Sequence, residues 1–200
     1  MLTLALIAVT VLVSWLAFQR PRLIERLILW PPAVDRQRQY DRLLTHGLVH
    51  ADWGHLLFNM ITLFFFGRVI ESVVGGLIGP LGFVLFYLSA IVVAILPSYL
   101  RHRHDPHYRS LGASGAVSAV LFAYVLLQPW SLIIVLVVPV PAILYAVVYV
   151  AYSFWMDKRG GDNINHNAHL SGAIYGVLFM LLMEPRLGGE FLRRLASPGF

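Results

Sequence analysis

The longest uncharged stretch of the chain limits its architecture more than any other feature. No Asp, Glu, Lys or Arg occurs between Ser110 and Met156. As a single α-helix this stretch would be about 70 Å long, whereas roughly 20 helical residues are enough to cross a bilayer core. The tripeptide Gln128-Pro129-Trp130 is the natural break within it. The stretch therefore predicts two membrane-crossing helices rather than one.

Four other apolar segments, each about long enough to cross a bilayer once, predict four more crossings. The chain is 58% hydrophobic and only 12% charged, whereas soluble domains are nearer one-half apolar and one-quarter charged. The predicted fold class is an all-α membrane protein with a six-transmembrane-helix bundle in residues 1–184 and a short C-terminal tail in residues 185–200. Spans are expected near 1–18, 53–74, 75–100 and 165–183, with two more inside 110–156.

The first connection, from Gln19 to His46, is the longest in the chain. Its segment from Leu23 to Trp30 is mixed in polarity and too short to cross a bilayer, so we expect a helix lying in the plane of the headgroups. Pro139 and Pro141 fall within the predicted fifth span, where we expect them to kink the helix.

The charge of the chain indicates its surroundings more than a ligand. The net charge is +5, and the basic residues lie between apolar spans, where they meet lipid headgroups. The lipid bilayer is therefore expected as a partner, and nucleic acid is not. The absence of cysteine excludes disulfides and thiolate chemistry. His102, His104 and His107 fit a solvated basic loop, and His46 with His50 lacks the Glu of a zinc-protease helix. No metal and no cofactor are expected.

A few polar side chains at the ends of spans are the candidates for chemistry, because such groups are costly inside a bilayer. His55 and Asn59 begin the second span, Ser114 opens the fourth and His169 opens the sixth. Successive spans alternate in direction, so the beginnings of even-numbered spans share one membrane face. A serine alone in a span would be interpreted as a packing residue. The combination instead predicts Ser114 as nucleophile, His169 as its base, and His55 with Asn59 as oxyanion donors.

Glycines accompany both candidate catalytic residues. Gly112 and Gly115 allow the backbone to approach closely around Ser114. Gly172 and Gly176 form a pair of small residues four apart, which lets the sixth span pack tightly on a neighbouring helix. If that neighbour is the fourth span, His169 is brought to Ser114.

These motifs resemble those of the rhomboid family of intramembrane serine proteases, in its six-span bacterial form. The family pattern is His-xxx-Asn in span two, Gly-x-Ser-Gly opening span four, and Ala-His-xx-Gly-xxx-Gly in span six. Each motif alone is weak, but three in the right order on the right spans are strong together. The resemblance covers about Tyr40 to Gly176, and the motifs are found here at His55–Asn59, Gly112–Gly115 and Ala168–Gly176.

The resemblance implies a function as well as a fold. Ser114 and His169 would form a catalytic dyad without an acid and cut transmembrane protein substrates. The oxyanion would be held by His55, Asn59 and the backbone at Ala113 and Ser114. The resemblance also implies a multi-pass protein, which we expect in a bacterial inner membrane.

Other matches and departures concern the first loop and the support of the base. His46 and His50 match the family and are expected to tie the first loop to the bundle. A Trp-Arg pair familiar from that loop is replaced here by Asp41-Arg42. An aromatic residue often follows the nucleophile by one helical turn and stacks on the base, but Ser118 occupies that position.

Two functions of other classes are alternatives. A catalytically silent rhomboid-like protein would bind membrane clients or act in quality control, and such proteins usually lack the serine or the histidine. A small transporter would carry polar groups through the bilayer midplane, whereas the polar groups here cluster near one face. The sequence indicates neither the natural substrate nor an oligomeric state.

The orientation in the membrane is predicted differently by two arguments. Most of the 15 basic residues lie in the first, third and fifth loops, on the face where the even-numbered spans begin, and the positive-inside rule places that face in the cytoplasm. The family resemblance implies an active site that opens to the exterior. We expect the exterior, because an interfacial first loop holds its arginines among the headgroups.

Overall fold

The computed structural model describes residues 1–135 and 137–198 and is predominantly helical. The long helices are α1 (Leu2–Gln19), α5 (Trp53–Ile78), α6 (Gly82–Arg101), α7 (Ser114–Leu127), α8 (Ala142–Arg159) and α9 (His166–Met183). Shorter helices are α2 (Pro21–Leu27), α3 (Pro31–Gln37), α4 (Arg42–Thr45), a 3-10 turn at His46–Leu48, and α10 (Arg186–Ala196). The strands β1 (Leu132–Val135) and β2 (Val138–Pro141) form an antiparallel hairpin.

Three helices of the described part of the chain, α1, α5 and α6, are long and apolar enough to cross a membrane. A fourth span results if α9 and α10, which meet at 115°, are counted together. Helix α7 has only 14 residues, which is about 21 Å at the rise of an α-helix. The protein is thus a multi-pass membrane protein, and the expected number of six spans is not confirmed by helix length and composition.

Helix α7 lies at the centre of the bundle, which explains how so short a helix is accommodated. It is buried along most of its length from Gly115 to Leu126 and packs against α5, α6 and α9. Because its neighbours are protein rather than lipid, α7 need not match the thickness of the bilayer. Helix α1 lies outside this centre against α5, where the carboxylate of Glu71 accepts hydrogen bonds from the backbone N–H groups of Leu2 (2.7 Å) and Thr3 (2.8 Å).

One expectation for the uncharged stretch is wrong. The fold is mostly helical, as expected, but a hairpin separates α7 from α8, and Pro139 and Pro141 lie in β2 rather than kinking a helix. Proline lacks the N–H that a helix interior needs, and it is tolerated on an edge strand. Helix α7 begins at Ser114, the residue expected to open the fourth span. The residues before it are not helical, and a β-bridge joins Ser110 to Leu29.

The first loop is folded, as the sequence predicts. The segment expected to lie at the membrane interface contains α2, followed by α3 and α4. The C-terminal segment, expected as a tail, is helical in α10, which contacts α7 and α9. The Trp130 indole N–H donates to the carbonyl oxygen of Arg194 over 3.1 Å.

Candidate active site

The beginnings of α5, α7 and α9 meet at one cavity of about 1090 Å³. Its walls include all four polar residues that the sequence analysis selected for chemistry, namely His55, Asn59, Ser114 and His169. The four side chains therefore lie around one cavity.

Ser114 and His169 form a direct hydrogen bond. Ser114 Oγ lies 2.8 Å from His169 Nε2, which is the separation that general-base activation of a hydroxyl requires. Ser114 is the first residue of α7 and His169 lies in the first turn of α9. Within the described residues, this is the one hydrogen bond that the His169 ring makes. The pair can transfer a proton without a carboxylate bonded to the imidazole.

The non-helical segment before α7 is fixed by the loop that precedes α5. The Gly112 N–H donates to the carbonyl oxygen of His46 over 2.9 Å, and the Ala113 N–H donates to His50 Nε2 over 3.4 Å. Gly112 has φ +115°, and a Cβ there would lie 2.6 Å from His55 Cε1. Only glycine fits both the backbone conformation and the space.

The hydrogen bonds of His50 define its tautomer. The Ser14 hydroxyl donates its single proton to the carbonyl oxygen of Leu48 over 2.9 Å, so it accepts from His50 Nδ1 at 2.9 Å. The proton therefore sits on Nδ1, and Nε2 is free to accept from Ala113. Burial lowers the pKa of His50 to about 3, with a smaller contribution from His55. The ring is thus neutral at neutral pH, as its acceptor role requires.

His46 has the same structural role one turn earlier. Its Nδ1 donates to the carbonyl oxygen of Arg42 over 3.1 Å, and burial lowers its pKa to about 4. His46 and His50 thus join α1, the first loop and the segment before Ser114. These hydrogen bonds are the contacts through which the two histidines would tie the first loop to the bundle.

His55 and Asn59 line the same cavity as Ser114, but among the described residues neither side chain is hydrogen-bonded to it. The His55 ring packs on Gly112 and meets His50 edge-on, with ring centroids 4.9 Å apart. The Asn59 amide donates one hydrogen to the His55 carbonyl oxygen over 2.9 Å, which leaves its second hydrogen for a ligand. The Ala113 N–H is occupied by His50. An oxyanion site made by His55, Asn59 and Ala113 stays a prediction.

Glycines bring α9 against α7. A Cβ at Gly172 would overlap the carbonyl oxygen of Gly115, and one at Gly176 would overlap that of Ala119. A Cβ at Gly115 would lie 2.7 Å from the Cβ of Ala94 on α6. Gly172 and Gly176 thus permit backbone contact between the helices that carry Ser114 and His169, and Gly115 permits close contact of α7 with α6.

Comparison with known proteins identifies the family. A model of the Rhomboid domain matches residues 37–186. The chain belongs to the rhomboid family. RHOMBOID-like protein 12, mitochondrial, of Arabidopsis thaliana is 31% identical over 185 residues, which is 84% of this chain and 53% of that protein. This rhomboid therefore spans about half the length of that plant relative.

Two bacterial relatives match most of their own length. The putative rhomboid protease YdcA of Bacillus subtilis is 26% identical over 176 residues, 85% of this chain and 82% of that protein. The rhomboid protease GlpG of Haemophilus influenzae is 28% identical over 153 residues, 76% of this chain and 74% of that protein. The family of this rhomboid thus includes proteins named as proteases.

Arg42 anchors the first loop of this rhomboid although its preceding residue is Asp41 rather than Trp. The buried Arg42 guanidinium donates to the carbonyl oxygens of Glu25 (2.8 Å) and Ile28 (2.6 Å). Asp41 instead pairs with Arg26 at 2.7 Å, which holds the pKa of that carboxyl below its usual range. Arg42 and the Asp41–Arg26 pair thus both link the start of α4 to the region of α2, and the Thr45 hydroxyl adds a hydrogen bond to the Leu27 carbonyl oxygen over 2.9 Å.

Tyr149 is the residue of this rhomboid site that the sequence analysis missed. Its ring lies nearly parallel to that of His169, at 24° and with centroids 5.9 Å apart. Its hydroxyl lies 2.6 Å from the Oγ of Ser118. The serine one turn after the nucleophile was a signal that the base needs another support, but it did not indicate which residue supplies it.

His166 lies next to His169 but is hydrogen-bonded to Asp162 rather than to Ser114. His166 is buried beside His169, with ring centroids 5.8 Å apart, and its Nε2 lies 3.0 Å from Asp162 Oδ2. Asp162 therefore pairs with His166, which lies one helical turn before His169. This contact holds the pKa of the Asp162 carboxyl below its usual range. Within the described residues, no group of three His, Asp or Glu side chains is arranged to hold a metal ion.

Proposed function

We propose that this rhomboid is an intramembrane serine protease that hydrolyses peptide bonds in or near transmembrane segments by a Ser114–His169 dyad. The observation that carries the proposal is the 2.8 Å separation of Ser114 Oγ and His169 Nε2 inside the cavity. Family membership adds support, since relatives in Bacillus subtilis and Haemophilus influenzae are named as rhomboid proteases.

The proposed reaction uses His169 as base and then as acid. Ser114 Oγ attacks the substrate carbonyl carbon while its proton passes to His169 Nε2. The C–N bond of the tetrahedral intermediate then breaks, and the leaving amine takes the proton from His169. A water molecule attacks the resulting ester, gives its proton to His169, and releases the acid as Ser114 recovers that proton.

The membrane arrangement belongs to the same proposal. We take α7, α8 and α9 as the spans that complete a set of six with α1, α5 and α6, the buried α7 being shielded from lipid by its neighbours. Transmembrane proteins are the substrates proposed. The matched relatives are bacterial, mitochondrial and chloroplast proteins by name or organism, and a bacterial inner membrane stays a prediction.

The direct test is cleavage of a transmembrane-segment reporter by the purified protein in detergent. The parent should cleave it, and Ser114→Ala should leave it intact, because among the described residues Ser114 supplies the hydroxyl that is hydrogen-bonded to His169. Equal cleavage by both proteins would show that the measured cleavage does not depend on Ser114. Binding of the reporter by a parent that does not cleave it would favour the client-binding alternative.

The same assay tests the oxyanion donors. His55→Ala and Asn59→Ala are each expected to lower the turnover rate by roughly 10²–10³-fold, as loss of one oxyanion donor does. Phe58→Ala is the matched control, because this exposed residue lies between them on α5. Parental turnover in both polar variants would remove the oxyanion assignment.

The orientation is tested with single cysteines, since the chain has none of its own. Asn163 is exposed between α8 and α9, and Ala196 is exposed at the end of α10 on the other face. If the active site opens to the exterior, a membrane-impermeant maleimide should label Asn163→Cys in intact cells and Ala196→Cys only after permeabilisation. The reverse pattern would support the positive-inside count.

A further inference from the structure

Two contacts hold the Tyr149 side chain against α7. The Ser118 hydroxyl donates to the carbonyl oxygen of Ser114 over 2.8 Å, so the Tyr149 hydroxyl is the donor in its 2.6 Å contact with Ser118 Oγ. The Tyr149 ring packs on the ring of Phe122, with centroids 5.6 Å apart. One face of the tyrosine ring is thereby presented to His169.

We infer that Tyr149 is the positioning residue for the proposed base, which it holds in the orientation that aims Nε2 at Ser114. The inference rests on the proposed function. One hydrogen bond fixes a single atom of the His169 ring and leaves rotation of the ring open. The nearly parallel Tyr149 ring covers one face of the imidazole, and His166 meets it edge-on. Together these contacts restrict the ring to one plane.

The location of Tyr149 on α8 has a consequence for the proposed reaction. Ser114 and His169 lie on α7 and α9, which are in backbone contact, whereas α8 packs mainly on α9 and buries few residues. Near its C-terminal end, α8 is tied to α6 by the pair Arg101–Asp157 at 3.0 Å. Displacement of α8 would withdraw the ring from His169, so the orientation of the base depends on the position of a third helix.

The test compares labelling of Ser114 by a fluorophosphonate probe with kcat and KM for the reporter. Tyr149→Leu should lower both the labelling rate and kcat by about 10- to 100-fold, as misplacement of a catalytic group does, with KM nearly unchanged. Tyr152→Leu is the matched control, because this tyrosine lies one turn further along α8 and contacts His166 instead. An equal loss of labelling rate and kcat in the control would show that Tyr149 contributes only to general helix packing. That result would overturn the inference.

A second pair of variants isolates the hydroxyl contact without removing the ring. Tyr149→Phe and Ser118→Ala break the same hydrogen bond, so each should lower the labelling rate by a similar few-fold factor. The double variant should be no slower than either single one. If Tyr149→Leu does not fold, these variants still test whether Tyr149 positions His169. Parental labelling rates in both, or multiplied losses in the double variant, would overturn the inference.

The failure of the inference differs from the failure of the proposed function. A parent protein that labels at Ser114 and a folded Tyr149→Leu variant that labels equally fast would remove only the positioning role. A parent that neither labels nor cleaves would remove the function on which that role rests.

Discussion

Replacing His169 by Ala is expected to lower the rate of fluorophosphonate labelling at Ser114 by about 10²–10⁴-fold, the range associated with general-base catalysis. A serine hydroxyl is a weak nucleophile until a base takes its proton. His169 Nε2 lies 2.8 Å from that hydroxyl, and the other described residues place no second base there. The rate of covalent modification measures this directly, because the small probe does not depend on recognition of a transmembrane substrate.

His166→Ala is the control for that experiment. His166 is a buried histidine three residues earlier on α9, and its ring nitrogen contacts Asp162 rather than Ser114. Its loss should loosen the packing around His169 and slow labelling by less than about tenfold, a smaller effect than removing the base. Loss of labelling in His166→Ala with retention in His169→Ala would show that the base is assigned wrongly. Unchanged labelling in both folded variants would remove the dyad.

The helices that the sequence predicts best are those that form continuous apolar runs of membrane-spanning length. The first, second and sixth predicted spans correspond to α1, α5 and α9 with similar boundaries. The hairpin formed by β1 and β2 was not predicted, because apolar content does not distinguish a helix from a strand. Its alternation of Val and Pro is compatible with an edge strand and incompatible with a helix interior, which was the neglected signal.

The site shows the same division between local and non-local information. The meeting of Ser114 and His169 follows from helix direction and from the spacing of Gly172 and Gly176, both of which are properties of single segments. The stacking of Tyr149 on His169 depends on how α8 is rotated about its axis. That helix carries aromatic residues on several faces, at 145, 149, 152, 154 and 155, so its sequence does not indicate which one faces the base.

The burial of Arg42 is non-local in the same sense. Its partners are backbone carbonyl oxygens 14 and 17 residues away, and any segment supplies such carbonyls. Only the folded first loop shows that they converge on the guanidinium. The presence of Asp41 in place of the Trp of the family pair therefore did not indicate how well the first loop is anchored.

Gly172→Ala is expected to separate α7 from α9 and to impair both stability and activity. The added Cβ would overlap the backbone carbonyl oxygen of Gly115, and a backbone atom cannot move aside as a flexible side chain does. Overpacking of this kind typically costs about 1–3 kcal/mol. His169 lies one turn before Gly172, and a displacement of about 1 Å at a catalytic group can cost on the order of 10² in rate.

The measurements are thermal unfolding in detergent and the labelling rate of Ser114. Gly76→Ala is the matched control, because it lies within α5 and a Cβ there meets nothing within 4 Å, so replacing a helical glycine should leave the protein at least as stable. Gly176→Ala should destabilise in the same way, since its Cβ would overlap the Ala119 carbonyl oxygen. Its effect on labelling should be smaller, because Gly176 lies a further turn from His169. A Gly172→Ala variant as stable and reactive as Gly76→Ala would show that close contact between the two helices does not hold the proposed dyad together.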